Sequence, residues 1–151
     1  MCIRDSIYCV DLAFQFIDPI NSGSDKDLLR RIYTHLSPKG KLILELDTHK
    51  RLIDRMDNNN IKTWQEFNSP DPWKYLLWDC SLEEKHITIN KTFIKRDFSE
   101  TSESKVILKN YTRHDIISMM QKIGFKNCEV YEHWDTEFDL LEDEFIVTGE
   151  K

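Results

Sequence analysis

Glycine is scarce in this chain: it has four glycines in 151 residues, at positions 23, 40, 124 and 149. No two of them are separated by a single residue, so the sequence contains no GxG pair and no phosphate-cradling P-loop. Long apolar runs are also missing. The most apolar stretch, Ile7–Ile17, is interrupted by Asp11 and Gln15. This interruption argues against a membrane span and a signal-peptide core, so we expect no membrane association.

Paired cysteines and runs of basic residues are lacking as well. The four cysteines are scattered without a CxxC pair, and the five histidines have no paired spacing, which argues against a zinc site. Free thiols in a reducing cytoplasm are the better expectation. A net charge of −6 with no Lys/Arg run disfavours a nucleic-acid partner. The length and the 40% apolar content fit one ordinary globular domain.

The first clear pattern predicts a helix, a tight turn and a buried strand. Ser24 and Asp27 have the spacing of a capping box, and apolar residues recur behind them at helical period. Pro38 is expected to end this helix, and Gly40 supplies a flexible turn position. The nearly continuous apolar run Leu42–Leu46 is typical of a strand that is covered on both faces.

A second helix is predicted near the C-terminus. Thr112 and Asp115 have capping-box spacing, and Gly124 stands where a helix commonly ends in the left-handed conformation. Two strand candidates follow it, Cys128–Tyr131 and Phe145–Thr148, with an acidic loop between them.

The middle of the chain has a different pattern, rich in aromatic residues. The residue pattern of Lys50–Met56 predicts a short amphipathic helix. Tyr75–Leu82, His86–Lys95 and Val106–Asn110 are strand-like, and the polar segment Phe98–Lys105 is expected to form a hairpin tip. We therefore expect an antiparallel meander here.

Two segments carry a family resemblance. "LLRRIYTHLSPKGKLILEL" resembles the fourth-helix-to-fifth-strand segment of class I S-adenosylmethionine-dependent methyltransferases, which usually reads "hxxhxxhLkPGGxhhhxh", with h an apolar residue. Lys39 departs from that pattern at the first glycine. "YTRHDIISMMQKIGFKNCEVYEHW" and the closing "DEFIVTGEK" resemble the C-terminus of the same family, in the same order along the chain.

The resemblance implies an α/β fold: a partial Rossmann-like methyltransferase sheet, with parallel strands, a C-terminal antiparallel strand and an inserted antiparallel β-meander. Residues 1–151 would form a single truncated domain, in which residues 63–110 are the substrate cap. Residues 1–6 resemble a non-native leader. The short strand Ile7–Val10 would be the family's fourth strand, and the glycine-rich cofactor-binding half would lie upstream of it.

Candidate site residues follow from the same resemblance, since ligands bind beyond the carboxyl ends of parallel strands. Val10 and Asp11 would approach the cofactor, S-adenosylmethionine, although Asp11 could equally be a solvent-facing turn carboxylate. The substrate-binding candidates are Asp47, His49, Trp64, Glu66 and Tyr111, with His133 and Asp135 as weaker ones. Each of them also has a purely structural explanation, as a loop residue or as core material.

The function implied is methyl transfer to a small-molecule acceptor. In such an in-line displacement the cofactor carries the reactive group and the protein supplies orientation, so no fixed catalytic residues and no metal are expected. Without the glycine-rich loop, we expect this chain to be inactive as a fragment. The alternative is a non-enzymatic α/β module. In either case the exposed strand Ile7–Val10 could pair with a partner or a second copy.

Overall fold

The computed structural model describes residues 4–10, 13–16, 23–66, 72–132 and 144–151, and these form an α/β fold with one mixed and one antiparallel sheet. A 3-10 turn, Ala13–Phe16, follows the first strand. The described elements are β1 (Arg4–Cys9), α1 (Ser24–His35), β2 (Leu36–Asp47), α2 (Lys50–Ile53), β3 (Asn60–Glu66), β4 (Trp73–Glu83), β5 (His86–Lys95), β6 (Thr101–Lys109), α3 (Arg113–Ile123), β7 (Lys126–Tyr131) and β8 (Glu144–Glu150). They divide into two compact units, residues 51–109 and the remainder.

The mixed sheet of the first unit has the strand order β1-β2-β8-β7. Strand β1 runs parallel to β2, with Ile7 opposite Leu42 and Cys9 opposite Leu44. Strand β8 lies antiparallel between β2 and β7. The expected parallel pair and the expected antiparallel C-terminal pair are both confirmed. Among the described residues, β1 is an edge strand, and the carboxyl ends of β1 and β2 meet at one edge of the sheet.

The core of the first unit lies on one face of this sheet. Leu42, Leu44 and Leu46 alternate along β2 with less buried residues and have no exposed side-chain surface. Leu29 of α1 and Met120 of α3 are also fully buried in this cluster. The prediction that β2 is covered on both faces is met in part, because Ile43 and Glu45 on the opposite face are half-buried and Lys41 is exposed.

The ends of the two long helices differ in how well they were predicted. The capping box of α3 is confirmed: the Thr112 hydroxyl accepts a hydrogen bond from the Asp115 N–H at 3.1 Å, and the Asp115 carboxylate accepts one from the Thr112 N–H at 3.1 Å. The box expected at Ser24 is wrong. Gly23 is the N-cap of α1 and makes no side-chain capping bond, while Asp27 pairs with Arg30 at 2.6 Å.

Strand β2 also begins earlier than predicted. It starts at Leu36 and runs through Pro38 and Gly40, with Lys39 in the left-handed region at φ 67°. The turn expected at these residues is absorbed into the strand because Leu36 pairs with Arg4 before the ladder shifts register.

The second unit is built on the antiparallel sheet β3-β4-β5-β6. One face of this sheet packs a small core in which Cys80, Ile87 and Leu108 are buried. The expected meander is confirmed, with three differences. Strand β3 was not predicted, β6 begins at Thr101 inside the expected hairpin tip, and α2 ends at Ile53.

Candidate functional site

A buried glutamine joins the ends of the two parallel strands in the first unit. Gln15, in the 3-10 turn after β1, has no exposed surface. Its amide nitrogen donates to the Asp47 carbonyl at 2.7 Å, and its amide oxygen accepts from the Asp47 N–H at 2.9 Å. The side chain thus repeats the donor–acceptor pattern of a peptide group, at a point beyond the last β1–β2 backbone pair. This contact fixes the turn against the end of β2.

His49 completes this arrangement. Its Nδ1 lies 3.1 Å from Asp47 Oδ2, and its Nε2 lies 3.3 Å from the amide nitrogen of Gln15. The tautomer with the proton on Nδ1 satisfies both contacts, because Nδ1–H then donates to the carboxylate and Nε2 accepts from the amide. His49 takes a left-handed backbone conformation, φ 52°, and its own N–H donates to Asp47 Oδ1. We refer to Gln15, Asp47 and His49 as the strand-end network.

The strand-end network is suited to hold groups in position. Both ring nitrogens of His49 are engaged, and its side chain is 9% exposed, so in this arrangement it has no free lone pair for a substrate proton. The Asp47 side chain is 18% exposed and offers a partly accessible carboxylate at the end of the sheet. The network therefore holds two strand ends and one carboxylate in a fixed relation, as a preorganised binding edge requires.

The first of the two cofactor candidates, Val10, directly follows β1. Val10 is 42% exposed, and its carbonyl accepts a hydrogen bond from the Ala13 N–H at 3.2 Å. Asp11 lies outside the described residues. Burial raises the pKa of the neighbouring Cys9 thiol, although a hydrogen bond from the Phe14 backbone opposes this shift.

Tyr111 lies in the core of the first unit, near the start of α3. It is 5% exposed, and its hydroxyl donates to Asp25 Oδ2 at 2.8 Å across 86 residues of sequence. Burial, and then the hydrogen bond to the Asp25 carboxylate, raises the pKa of Tyr111 well above its usual range. Its ring also packs against Phe14 at a centroid distance of 5.7 Å. The hydrogen bond to Asp25 ties the start of α1 to the residue before α3.

Trp64 and Glu66 belong to the second unit. Both lie on strand β3, and Trp64 is 64% exposed. Glu66 pairs with Lys74 at 2.6 Å. A groove of 440 Å³ lies beside Trp64, and its lining residues are Trp64, Tyr75, Leu77, Ile94 and Phe98. The Tyr75 and Phe98 rings in it are stacked at 5.4 Å. We refer to these five lining residues as the aromatic groove.

The structure therefore brings the candidates together in two groups. Asp47 and His49 meet within the strand-end network, and Trp64 and Glu66 share one strand of the second unit. His133 and Asp135 lie outside the described residues. Over the described ranges, no group of three metal-ligating side chains is brought together, and no helix is both long and apolar enough to cross a membrane.

Two residues that complete these arrangements were not predicted as functional. In the sequence Gln15 stands out only as an interruption of an apolar stretch, and Asp25 does not stand out at all. A signal for Gln15 does exist, because a single amide among apolar residues directly after a strand is a costly position unless the amide is hydrogen-bonded. Asp25 has no such signal, since its partner Tyr111 is far away in sequence.

Comparison with known proteins shows which solved structures share this fold. No model of a protein family matches the sequence, and neither does any curated protein. Solved structures do match. An S-adenosylmethionine-dependent methyltransferase from Clostridium acetobutylicum has a TM-score of 0.69 and 16% identity, over 98% of this chain and 58% of that one. The CcbJ methyltransferase from Streptomyces caelestis has a TM-score of 0.75 and 10% identity, over 97% and 57%.

A third similar structure is an amino pentose methyltransferase from Micromonospora echinaspora with S-adenosylmethionine bound, with a TM-score of 0.64 and 15% identity, over 97% of this chain and 58% of that one. At such identities the likeness establishes the fold. The chain is similar to part of these methyltransferases and spans just under three fifths of their length. The resemblance first seen in two sequence segments is thereby confirmed at the level of the fold.

Proposed function

We propose that this chain is the C-terminal part of a class I S-adenosylmethionine-dependent methyltransferase that acts on a small molecule in the cytoplasm. The observation that carries the proposal is the fold likeness, which extends over 97–98% of the chain with TM-scores from 0.64 to 0.75. The parallel pair β1–β2, followed in sequence by the antiparallel pair β7–β8, supports a partial Rossmann-like sheet.

The carboxyl edge of β1 and β2 is the proposed meeting place of cofactor and acceptor. S-adenosylmethionine would supply a methyl group on a positively charged sulfur. Val10 and Asp11 would approach the cofactor, and Asp47 and His49 would face the acceptor. Gln15 holds the two strand ends together through hydrogen bonds of 2.7 and 2.9 Å. It would therefore keep the cofactor-binding pair and the acceptor-binding pair in a fixed orientation. Such fixed orientation is the main contribution of a protein to this kind of displacement.

The residues present would form only one side of a cofactor site. The resemblance requires a glycine-rich loop and a ribose-binding acidic residue, and the sequence contains no GxG pair. The similar structures are correspondingly longer than this chain. We therefore propose that upstream sequence supplies the loop and the acid, and that the 151-residue chain alone is inactive.

The second unit is the proposed acceptor-binding region. Residues 63–110 would act as the substrate cap, with Trp64 and Glu66 among the contact residues. Tyr111 would stabilise the first unit through its hydrogen bond to Asp25. The aromatic groove has the size of a small-ligand site, and its rings suit a flat or apolar group on the acceptor.

Isothermal titration with S-adenosylmethionine tests this proposal in two arms, the 151-residue chain and the same reading frame extended upstream. We expect micromolar binding by the extended protein only. Micromolar binding by the 151-residue chain alone would refute the proposal that upstream sequence completes the cofactor site. An extended protein that contains a GxG loop and still binds no cofactor would refute the methyltransferase assignment.

The alternative function is a non-enzymatic module that pairs through β1. The observation in its favour is the exposure of this edge, where Tyr8 is 61% and Val10 is 42% exposed. A stop codon directly before Met1 in the gene would favour the module, and an upstream strand followed by GxG would exclude it.

A further inference from the structure

Strand β3 presents an open hydrogen-bonding edge. Asn60 exchanges both of its backbone hydrogen bonds with Asp57, at 2.8 and 3.0 Å, while the Asn59 carbonyl accepts from the Leu82 N–H at 2.9 Å. Asn60 and Ser81 are therefore a non-hydrogen-bonded pair of the β3–β4 ladder. Because the pattern alternates, every second residue after Asn60 directs its N–H and C=O away from β4.

The three residues with outward backbone groups are Lys62, Trp64 and Glu66. Over the described ranges, β3 is an outer strand of its sheet, with no strand on that side. Protein edges of this kind are usually protected by charged side chains, a bulge or a proline, and Lys62 supplies one such charge. The central residue, however, is a tryptophan that is 64% exposed. The strand is seven residues long, and its open part from Lys62 to Glu66 is suited to accept another strand.

We propose that β3 pairs antiparallel with β3 of a second copy of this chain, about a two-fold axis at Trp64. Lys62 and Glu66 lie two residues on either side of Trp64, with side chains 79% and 47% exposed. Each already has an ion-pair partner on β4, Asp79 for Lys62 at 3.0 Å and Lys74 for Glu66 at 2.6 Å, and each is exposed enough to reach a second charge. Antiparallel pairing about Trp64 therefore sets Lys62 opposite the partner's Glu66, and this contact occurs twice. The charges of the strand are self-complementary in this register, as a symmetric interface requires.

The apolar surface beside the edge also favours a second copy of this chain as the partner. Trp64 lies 6.5 Å from the Tyr75 ring, and the exposed Leu77 and Phe98 extend the patch. A two-fold axis perpendicular to the joined sheet keeps the same face of both copies on one side. The two aromatic grooves then adjoin across an eight-stranded sheet, with apolar groups central and paired charges around them, as in many protein interfaces.

Strand β1 lacks this symmetry. Its two charged residues, Arg4 and Asp5, lie together at one end of the strand. A two-fold axis at its centre would not bring opposite charges into register, so the described charges favour β3 as the self-association edge.

Sedimentation velocity of the 151-residue chain tests the proposal. We expect a dimer for the unmodified chain and at least about tenfold weaker dimerisation for Lys62→Glu or Glu66→Lys, because each places like charges opposite one another twice. The double variant Lys62→Glu/Glu66→Lys restores opposite charges across the axis but sets each new side chain beside a like charge of its own copy, Asp79 or Lys74. We therefore expect it to dimerise more strongly than either single variant and more weakly than the original chain. Trp64→Lys sets two cations at the axis and should give a monomer.

Matched controls separate this edge from general charge effects. Lys105→Glu makes the same charge change on the outer strand β6 and should leave the dimer intact, as should Tyr8→Lys on β1. Circular dichroism establishes that each variant is folded. A monomeric unmodified chain, a dimer insensitive to the β3 variants, or a dimer lost on Tyr8→Lys would overturn the proposal. A folded double variant that stays monomeric would overturn the register at Trp64.

Discussion

Replacing Gln15 by alanine removes the side chain that joins the ends of β1 and β2. The substitution leaves the Asp47 N–H and carbonyl without their amide partners, which now lie 2.9 and 2.7 Å away. It also removes the donor that faces His49. An unsatisfied buried polar group costs about 1–3 kcal/mol. Because the contacts to Asp47 are only partly buried, water can compensate in part, and we expect a loss of about 2–4 kcal/mol in the free energy of unfolding.

Two measurements check this prediction. Urea denaturation followed by circular dichroism gives the change in the free energy of unfolding. Hydrogen exchange of the Asp47 amide should also accelerate, because its N–H donates to Gln15 Oε1. Gln121→Ala on the exposed face of α3 is the matched control, and we expect a change within about 0.5 kcal/mol for it.

The reasoning about Gln15 would be refuted by a loss below about 0.5 kcal/mol together with unchanged protection of the Asp47 amide. Gln15→Glu adds a sharper comparison. It keeps an acceptor for the Asp47 N–H but loses the donor to the Asp47 carbonyl, so its stability should also fall below that of the unmodified chain.

Three further outcomes follow from the core of the first unit. Tyr111→Phe removes the hydrogen bond to Asp25 and should cost about 1.5–3 kcal/mol in urea denaturation. Since the pKa of Tyr111 is raised by burial and by Asp25, the unfolded tyrosine ionises first, near pH ~10. The contribution of Tyr111 to the free energy of unfolding is therefore fully present below that pH and decreases as the pH rises above it. The Phe variant should lack this part of the pH dependence. Gly149→Ala would press a methyl group against Met120 and Phe125 and should cost about 1–3 kcal/mol in thermal or urea unfolding.

Local interactions made the α3 boundaries predictable from sequence. The capping partners Thr112 and Asp115 are three residues apart, so their spacing alone identifies the helix start. At α1 the same spacing misled, because Gly23 is the N-cap and Asp27 pairs with Arg30. In the same turn Asp25 accepts a hydrogen bond from Tyr111, 86 residues away. Long-range contacts of this kind leave no trace in a local pattern.

Strand β3 shows a second limit of sequence patterns. Apart from Ile61 its side chains are all exposed, so the alternation of apolar and polar residues that indicates a strand is missing. The first half of β6 is exposed in the same way, and its polar sequence predicts a hairpin tip instead. Both segments are strands because backbone pairing to β4 and β5 holds them.

The candidate site was predicted in part. The carboxyl ends of β1 and β2 were expected to meet, and the parallel pairing brings Asp47 and His49 to that edge. The role of Gln15 could not be read from the sequence, because it depends on the turn that directs the amide back onto β2.

The central claim is that this edge forms one side of a methyl-transfer site. Hydrogen exchange of the upstream-extended protein, with and without S-adenosylmethionine, tests it most directly. We predict that the cofactor slows amide exchange at Val10, at residues 13–16 and at residues 47–49, and leaves the amides of β5 unchanged. Cofactor binding without added protection at the ends of β1 and β2 would contradict the account.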